Sequence, residues 1–280
     1  MEQRTLKHIA QIVGVGVHSG ESVSLTLHPA SENTGIIFRR GTTEIPATID
    51  FIGDTDFCTC LVKDNQRIST VEHLLSALSA LHIDNCIAEL SLDELPVLDG
   101  SAKPFVDLIL SAGIAEQAAL KKFIKIKKTI EANQGDKWAR LEPFDGFCVA
   151  MEISFTHPII ASSQQVITLD VTQEKYIEEI SRARTFGFLA DYEMMLAKKL
   201  AKGASLENTV VLDAENVVNP EGLRYPDEFV KHKMLDAIGD LYLLGHSMIG
   251  KFSGFKSGHA LNSALMKKLL ADVEAFEICS

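Results

Sequence analysis

The chain reads as an α+β protein of two domains, and three observations carry that reading. At 280 residues it exceeds the usual single-domain size and can bury a substantial core in each of two medium domains. A series of β-rich runs gives way to helical periodicity, and after about residue 120 the same order of strands and then helices begins again. Between the two units, Glu116 to Lys122 is the expected boundary, giving domains of residues 1–118 and 122–280.

From Thr5 to Arg40 the runs QIVGVGVH and SVSLTLHPA, broken by HSGES and SENTG, read as strands joined by turns. IPATIDFIGDTDFCTCLV extends the β signal to about Val62. The period then changes in RISTVEHLLSALSALHIDN. Val71, Leu74, Leu75, Leu78 and Leu81 repeat at three and four, and Ser69 or Thr70 is placed to cap the helix. After the strand and turn of IAELSLDELPVLDG, the segment SAKPFVDLILSAGI predicts a second helix stopped by Gly113. In the second unit FIKIKKTIEA, KWARLEPF and FCVAMEISF are strand-like, and KYIEEISRARTFGF leads from a helix into a loop. FVKHKMLDAIGDLYLLG and NSALMKKLLADVEAF supply two more helices, and the terminal ADVEAFEICS reads as a fraying helix end. The lysines of KKFIKIKK alternate with apolar residues, as on the solvated face of a strand.

Composition excludes some functions. A formal net charge of −11 argues against a duplex nucleic-acid partner, which demands a basic face. Five cysteines, Cys58, Cys60, Cys86, Cys148 and Cys279, are an odd number without a CxxC pair and point to a reducing compartment. No run reaches the roughly 18 apolar residues of a membrane span, and the N-terminus lacks a secretory apolar core. The expectation is a cytoplasmic monomer without an integral membrane segment.

VKHKMLDAIGDL places His232, Asp236 and Asp240 four residues apart, on one side of a helix, with Met234, Ile238, Leu241 and Tyr242 on the other. Such a helix is either an ordinary amphipathic surface helix or one whose His and Asp, a turn apart, hold a metal ion. In TVEHLL, Glu72 precedes His73 near a helix start. The two side chains point in different directions, so His73 can bind a metal while Glu72 addresses a water; a carboxylate there is also favoured by the helix dipole alone. His73, His232 and Asp236 together would make the three-ligand set of a catalytic zinc. His259, framed by glycine in the turn KSGHALN, is a candidate general acid that needs a carboxylate such as Asp240 to stay protonated. In RTFGF, Thr185 can donate to an oxyanion and Phe186 can stack on a sugar or base, or the phenylalanines can simply close a core. His18 in GVHSGES sits in a turn resembling a site loop and joins the substrate-contact candidates. His8, His28, His82, His157 and His246 are read as structural or surface residues.

Taken together, VGVGVHSG, STVEHLLSAL, IDN, PVLDGSAKPF, ARTFGF, GLRYPDEFVKHKMLDAIGDL and KSGHALN resemble, in order, the UDP-3-O-acyl-N-acetylglucosamine deacetylase family of lipid A biosynthesis, zinc amidases of Gram-negative bacteria. The resemblance spans nearly the whole chain, from His18 to Asn262. It implies His73, His232 and Asp236 as ligands of one Zn2+, with Fe2+ also compatible with such a set. It further implies Glu72 as general base, His259 as general acid, Asp240 as the carboxylate that orients His259, Thr185 as a carbonyl-polarising donor and Lys233 as a lysine near the reacting centre. Phe186 and Asp191 match residues that contact the glucosamine ring, and Phe155, Lys137 and Lys256 match residues near the nucleotide or its phosphates. The implied partner is an acylated UDP-sugar.

The implied fold is two β-α-α-β domains packed as a sandwich with their helix layers facing, and a βαβ insert in the second domain. That insert, near residues 183–212, is expected to form an acyl passage with Leu189, Leu196, Leu200, Ala201 and Leu206 as its apolar candidates. Two positions depart from the family pattern, Lys199 and His82, where glycine is common. The alternatives are a non-catalytic binding protein of the same fold, which should lack Glu72 or a ligand, and an amidase of other specificity, which should diverge in RTFGF and the insert.

Overall fold

A computed structural model describes all 280 residues. In chain order the first half comprises β1 (Glu2–Leu6), β2 (Ala10–Val15), β3 (Ser22–Pro29), β4 (Ile36–Arg40), β5 (Thr43–Pro46), β6 (Cys60–Lys63) and β7 (Gln66–Ser69), then α1 (Glu72–Ala80), β8 (Cys86–Leu90), α2 (Lys103–Ala112) and β9 (Ile114–Leu120). The second half comprises β10 (Phe123–Ile126), β11 (Ile130–Gln134), β12 (Lys137–Glu142), β13 (Phe147–Glu152), α3 (Pro158–Ser162), β14 (Val166–Asp170) and α4 (Gln173–Lys175), which a π-turn extends to Ile180. There follow β15 (Phe186–Phe188), α5 (Tyr192–Ala197), β16 (Val210–Leu212), α6 (Glu228–Leu241), β17 (Ser247–Phe255), α7 (His259–Ala271) and β18 (Phe276–Cys279).

Strands of the first half form a sheet of order β2-β3-β8-β4-β5, and those of the second form a larger sheet around β17, which pairs along its length with β10, β12 and β13. Alternation in β3, where Val23, Leu25 and Leu27 are buried and their neighbours are not, shows why this sequence makes a strand with one face on a core. The mixed α+β character agrees with the expectation. The segment read as an interdomain boundary is structured, however. Ile114–Leu120 is a strand that returns to pair antiparallel with β1, so the end of the first half is stitched to its beginning.

Helices of the two halves meet. α6 packs on α1, with α7, β13 and β14 also against it. Gly239 permits the approach, since a Cβ there would lie 2.0 Å from the Glu72 carbonyl oxygen. The apolar core is continuous across this contact, running from Leu74 and Leu78 of α1 into Met234, Leu235 and Ile238 of α6. An amphipathic surface helix is therefore not what Glu228–Leu241 forms. It is buried on nearly every face, and the stripe of His232, Asp236 and Asp240 looks into protein rather than solvent.

Four local expectations are corrected. Neither Ser69 nor Thr70 caps α1: Val71 holds the cap position in helical conformation, while the hydroxyls of Ser69 and Thr70 donate to the Asp93 carbonyl and to Glu94. FIKIKKTIEA is two strands, β10 and β11, which belong to different parts of the larger sheet. RTFGF does not stay a loop, because Phe186–Phe188 pairs in parallel with Val210–Leu212 across α5, a βαβ unit. The terminal residues do not fray from a helix: α7 ends at Ala271 and Phe276–Cys279 pairs antiparallel with β10. Gly113 closes α2 at φ 72°, as its position predicted.

Candidate active site

The facing helices α1 and α6 bring His73 beside His232 and Asp236. Asp236 Oδ1 lies 3.5 Å from His73 Nε2 and 3.4 Å from His232 Nε2, all three side chains being buried. That oxygen is fully enclosed and receives no hydrogen bond. A buried carboxylate oxygen without a donor, facing two imidazole nitrogens, is a costly arrangement unless a cation is shared among the three. Two histidines and one carboxylate are a donor set that zinc accepts and that fits the chemistry of this cluster. His232 donates from Nδ1 to the Ala183 carbonyl at 3.1 Å, which turns Nε2 toward Asp236. Burial pushes the His232 pKa down to about 3, so the ring is neutral and its lone pair is available. Burial would raise the Asp236 carboxyl, but the Lys233 ammonium beside it helps hold it well below the usual range. Lys233 Nζ donates to the other oxygen, Asp236 Oδ2, at 2.8 Å.

Glu72, next to His73, is buried at the start of α1, and burial pushes its carboxyl up to about 8. Across from it stands His259. The sequence suggested a turn, but His259 is the first residue of α7, with Gly258 extended before it. Its Nε2 lies 3.9 Å from Glu72 Oε1, and its Nδ1 donates to Asp240 Oδ2 at 2.9 Å. Burial would lower the His259 pKa; Asp240 and then Glu72 outweigh it and raise it to about 10. Asp240 Oδ2 also accepts from Asn262 Nδ2 at 2.9 Å, and Oδ1 from Thr59 Oγ1 at 2.6 Å.

Thr185 is half-buried two residues beyond the Ala183 carbonyl that holds His232, and it is fixed there by its N–H donating to the Gly100 carbonyl and its carbonyl accepting from Val210. Gly100 is required there, since its φ is +83° and a Cβ would fall 1.9 Å from the Asn208 carbonyl oxygen. The preceding Arg184 is buried and clamps Glu228 at the head of α6, with Nε 2.9 Å from Oε1. Phe186 leans edge-on to Phe155, at 5.6 Å between ring centroids, and to His232 at 6.3 Å, and Lys233 Nζ sits 6.0 Å from its ring. Phe155 and Phe186 are thus beside the cluster.

Other substrate-contact candidates lie further out. Asp191 is exposed at the head of α5. The register pairing Trp138 with Phe255 sets exposed Lys137 beside Lys256, whose Nζ donates to Asp136 at 2.6 Å, so this cation already has an anionic partner. In the insert, Leu189, Leu196 and Leu206 keep 52%, 39% and 39% of their surface exposed, whereas Ala201 is buried and Leu200 half-buried. The segment after Leu200 docks on the turn of His18: the Ala201 N–H reaches His18 Nδ1 at 3.5 Å, and the Gly203 N–H donates to the Val17 carbonyl. His18 therefore borders the insert.

Sequence reasoning missed Thr59, Glu94, Asn262 and the Arg184–Glu228 clamp. Glu94 is buried and accepts from the His18 and Ser19 amides at 2.8 Å, which fixes that turn. No periodicity marks these residues, because their partners are distant in the chain.

A buried carboxyl and imidazole 3.9 Å apart beside a two-histidine, one-carboxylate cluster are equipment that a hydrolase can use. Residues 3–271 match the family profile described as UDP-3-O-acyl N-acetylglycosamine deacetylase. A UDP-3-O-acyl-N-acetylglucosamine deacetylase of Coxiella burnetii is 56% identical over 99% of this chain and 93% of its own length. Proteins of the same name from Pseudoalteromonas translucida and Thioalkalivibrio sulfidiphilus are 52% and 54% identical, each over 99% of this chain and 93% and 92% of their own lengths. The chain belongs to the UDP-3-O-acyl N-acetylglycosamine deacetylase family and is an enzyme, an amide hydrolase. No helix is long and apolar enough to cross a membrane.

Proposed function

We propose that the protein removes the acetyl group of a UDP-3-O-acyl-N-acetylglucosamine, releasing acetate and the free 2-amine, as the committed step of lipid A biosynthesis in the cytoplasm. The observation that carries the reading is the orphaned Asp236 Oδ1 between His73 and His232, together with Glu72, the neighbour of His73, standing 3.9 Å from His259.

His73, His232 and Asp236 would hold a zinc ion. Bound there, zinc supplies Lewis acidity that lowers the pKa of water and polarises a carbonyl. Glu72 takes one proton from the attacking water in its ionised form; burial raises its carboxyl, which makes that carboxylate the stronger base. The water oxygen bonds to the acetyl carbon, and the Thr185 hydroxyl donates to the developing oxyanion. When the C–N bond breaks, the electron pair stays on nitrogen and His259 delivers a proton to it. Asp240 keeps His259 charged and aimed. Lys233, tied to Asp236 Oδ2, adds positive charge beside the reacting carbonyl. Phe186 and Asp191 would contact the sugar, with Phe155, Lys137 and Lys256 toward the nucleotide. The acyl chain would run along the insert past Leu189, Leu196, Leu200, Ala201 and Leu206 to the turn of His18.

Acetate release from this substrate, measured with a chelator and after zinc addition, tests the proposal. Release that stops with chelator and returns with zinc is the expected result. Bound zinc without acetate release on any acyl length would favour a binding protein or another amide substrate.

A further inference from the structure

Thr59 is not among the residues assigned above, yet every polar group it has is committed around the reacting pair. It lies just before β6, between Cys58 and Cys60, whose buried sulfurs are 3.6 Å apart, with Arg67 Nη2 2.9 Å from Cys60 Sγ. These contacts pin the backbone on both sides of Thr59. The Thr59 carbonyl accepts from Val71 N–H at 3.4 Å, which ties it to the head of α1. Its own N–H donates to Glu72 Oε2 at 3.1 Å, and its hydroxyl donates to Asp240 Oδ1 at 2.6 Å. The residue is 1% exposed, so neither bond competes with bulk water.

The two acceptors belong to opposite halves of the molecule and serve opposite ends of the reaction. Glu72 stands on α1 and Asp240 on α6, and Asp240 in turn holds His259 on α7. His259 Nε2 is 3.9 Å from Glu72 Oε1, so the geometry between base and acid depends on where each carboxylate is turned. Glu72 has one amide donor for Oε2, and Thr59 supplies it. Asp240 Oδ1 has no side-chain donor besides Thr59 and His259, while Asn262 holds Oδ2.

We infer that Thr59 is a positioning residue: its amide aims Glu72 and its hydroxyl aims Asp240, so a single residue sets the alignment of general base and general acid across the interface between the halves. The inference rests on the proposed hydrolytic roles of Glu72 and His259. Loss of the hydroxyl leaves Asp240 Oδ1 without its shortest donor and the carboxylate held by Asn262 and His259 alone, so His259 meets the leaving nitrogen in fewer productive poses. Substrate and metal contacts are untouched, so the cost falls on turnover and not on binding.

The test compares the zinc-loaded full chain with Thr59→Val, which is nearly isosteric and keeps the amide, and Thr59→Ser, which keeps both donors. Acetate release is measured well below the unfolding transition, with zinc per chain determined for each protein. Thr59→Val is expected to lose about 10- to 100-fold in kcat with KM and zinc content unchanged, and Thr59→Ser to stay near wild type. In a His259→Ala background Thr59→Val should add no further loss, because it acts through that histidine. An unchanged kcat in Thr59→Val, an equal loss in both variants, or losses that multiply with His259→Ala would each overturn the inference.

A second readout does not depend on substrate. The low-field proton of the His259 Nδ1–H to Asp240 bond, identified by its absence in His259→Ala, should persist in Thr59→Ser and shift or broaden in Thr59→Val. If wild type releases no acetate, the functional proposal fails by itself. An unshifted resonance in Thr59→Val then still refutes the role of Thr59.

Discussion

His82 and Lys199 occupy backbone positions that ask for glycine. Both adopt left-handed conformation, at φ 58° and 61°, where the family resemblance leads glycine to be expected. The helix end and the insert thus keep their shape with strained residues, and no alternative closure replaces the glycine turn. At His82 the strain is compounded by a buried Nδ1 without a partner, and burial followed by Lys121 lowers the pKa of the ring. A histidine depressed in the folded state contributes its stability above the unfolded value near 6.5 and loses it as pH falls below that. His82→Gly is expected to stabilise the protein by about 1 kcal/mol at pH 8, after the entropy of glycine is deducted, and by more at pH 5. Urea unfolding at the two pH values checks this; equal or negative changes would mean that His82 makes compensating contacts.

The candidate metal centre gives two further predictions at this scale. Asp236→Ala should lose tight zinc binding, read by metal analysis after dialysis, and retention of one zinc per chain would refute the ligand assignment. Glu72→Ala should keep zinc while its turnover drops about 10²- to 10⁴-fold. A near-normal rate would remove Glu72 as the base.

Elements were legible in the sequence where local chemistry decides them. The leucines of α1 repeat at helical spacing, Gly113 stops α2, and Val23, Leu25 and Leu27 alternate in β3. Legibility failed where a distant partner decides. Phe276–Cys279 becomes a strand because β10 offers it an edge, and four residues carry too little alternation to announce that. Thr70 does not cap α1 because Glu94 takes its hydroxyl and its φ is +61°. Nothing in the spacing of His232, Asp236 and Asp240 distinguished a buried helix from a surface one, since the polar stripe is the same whether it faces water or α1. Thr59 was invisible for the same reason: the residue it serves lies 181 positions away.

The contact between α1 and α6 is the element-level feature on which the centre depends. Gly239→Ala would drive a methyl group into the Glu72 backbone, so either helix must move. Overpacking of this kind typically costs about 1–3 kcal/mol. The displaced α1 carries Glu72 and His73 with it, so the variant should show weaker zinc affinity in addition to a lowered Tm. A lowered Tm with unchanged zinc affinity would show that the centre tolerates helix separation.

At the scale of the whole molecule, the two halves share one core and one candidate metal site. A ligand that binds only the folded chain stabilises it in proportion to the logarithm of its concentration over Kd, about 2.7 kcal/mol at a hundredfold excess. Zinc at this junction should therefore raise the Tm of the full chain, and a chelator should lower it. A Tm indifferent to both would argue against the site. The insert supplies the remaining large-scale feature, the apolar side chains of Leu189, Leu196 and Leu206, which stay exposed.

His73 is encoded far ahead of His232 and Asp236, on the other half of the chain. During translation the first half therefore emerges with only one of the three candidate ligands, His73. On the proposed ligand assignment the three-residue set is complete only once α6 has emerged and found α1, so acquisition of a metal there would report that both halves have been made and joined. A chain truncated before α6 would be spared from competing for zinc, and supplying the missing half as a separate polypeptide should restore capture.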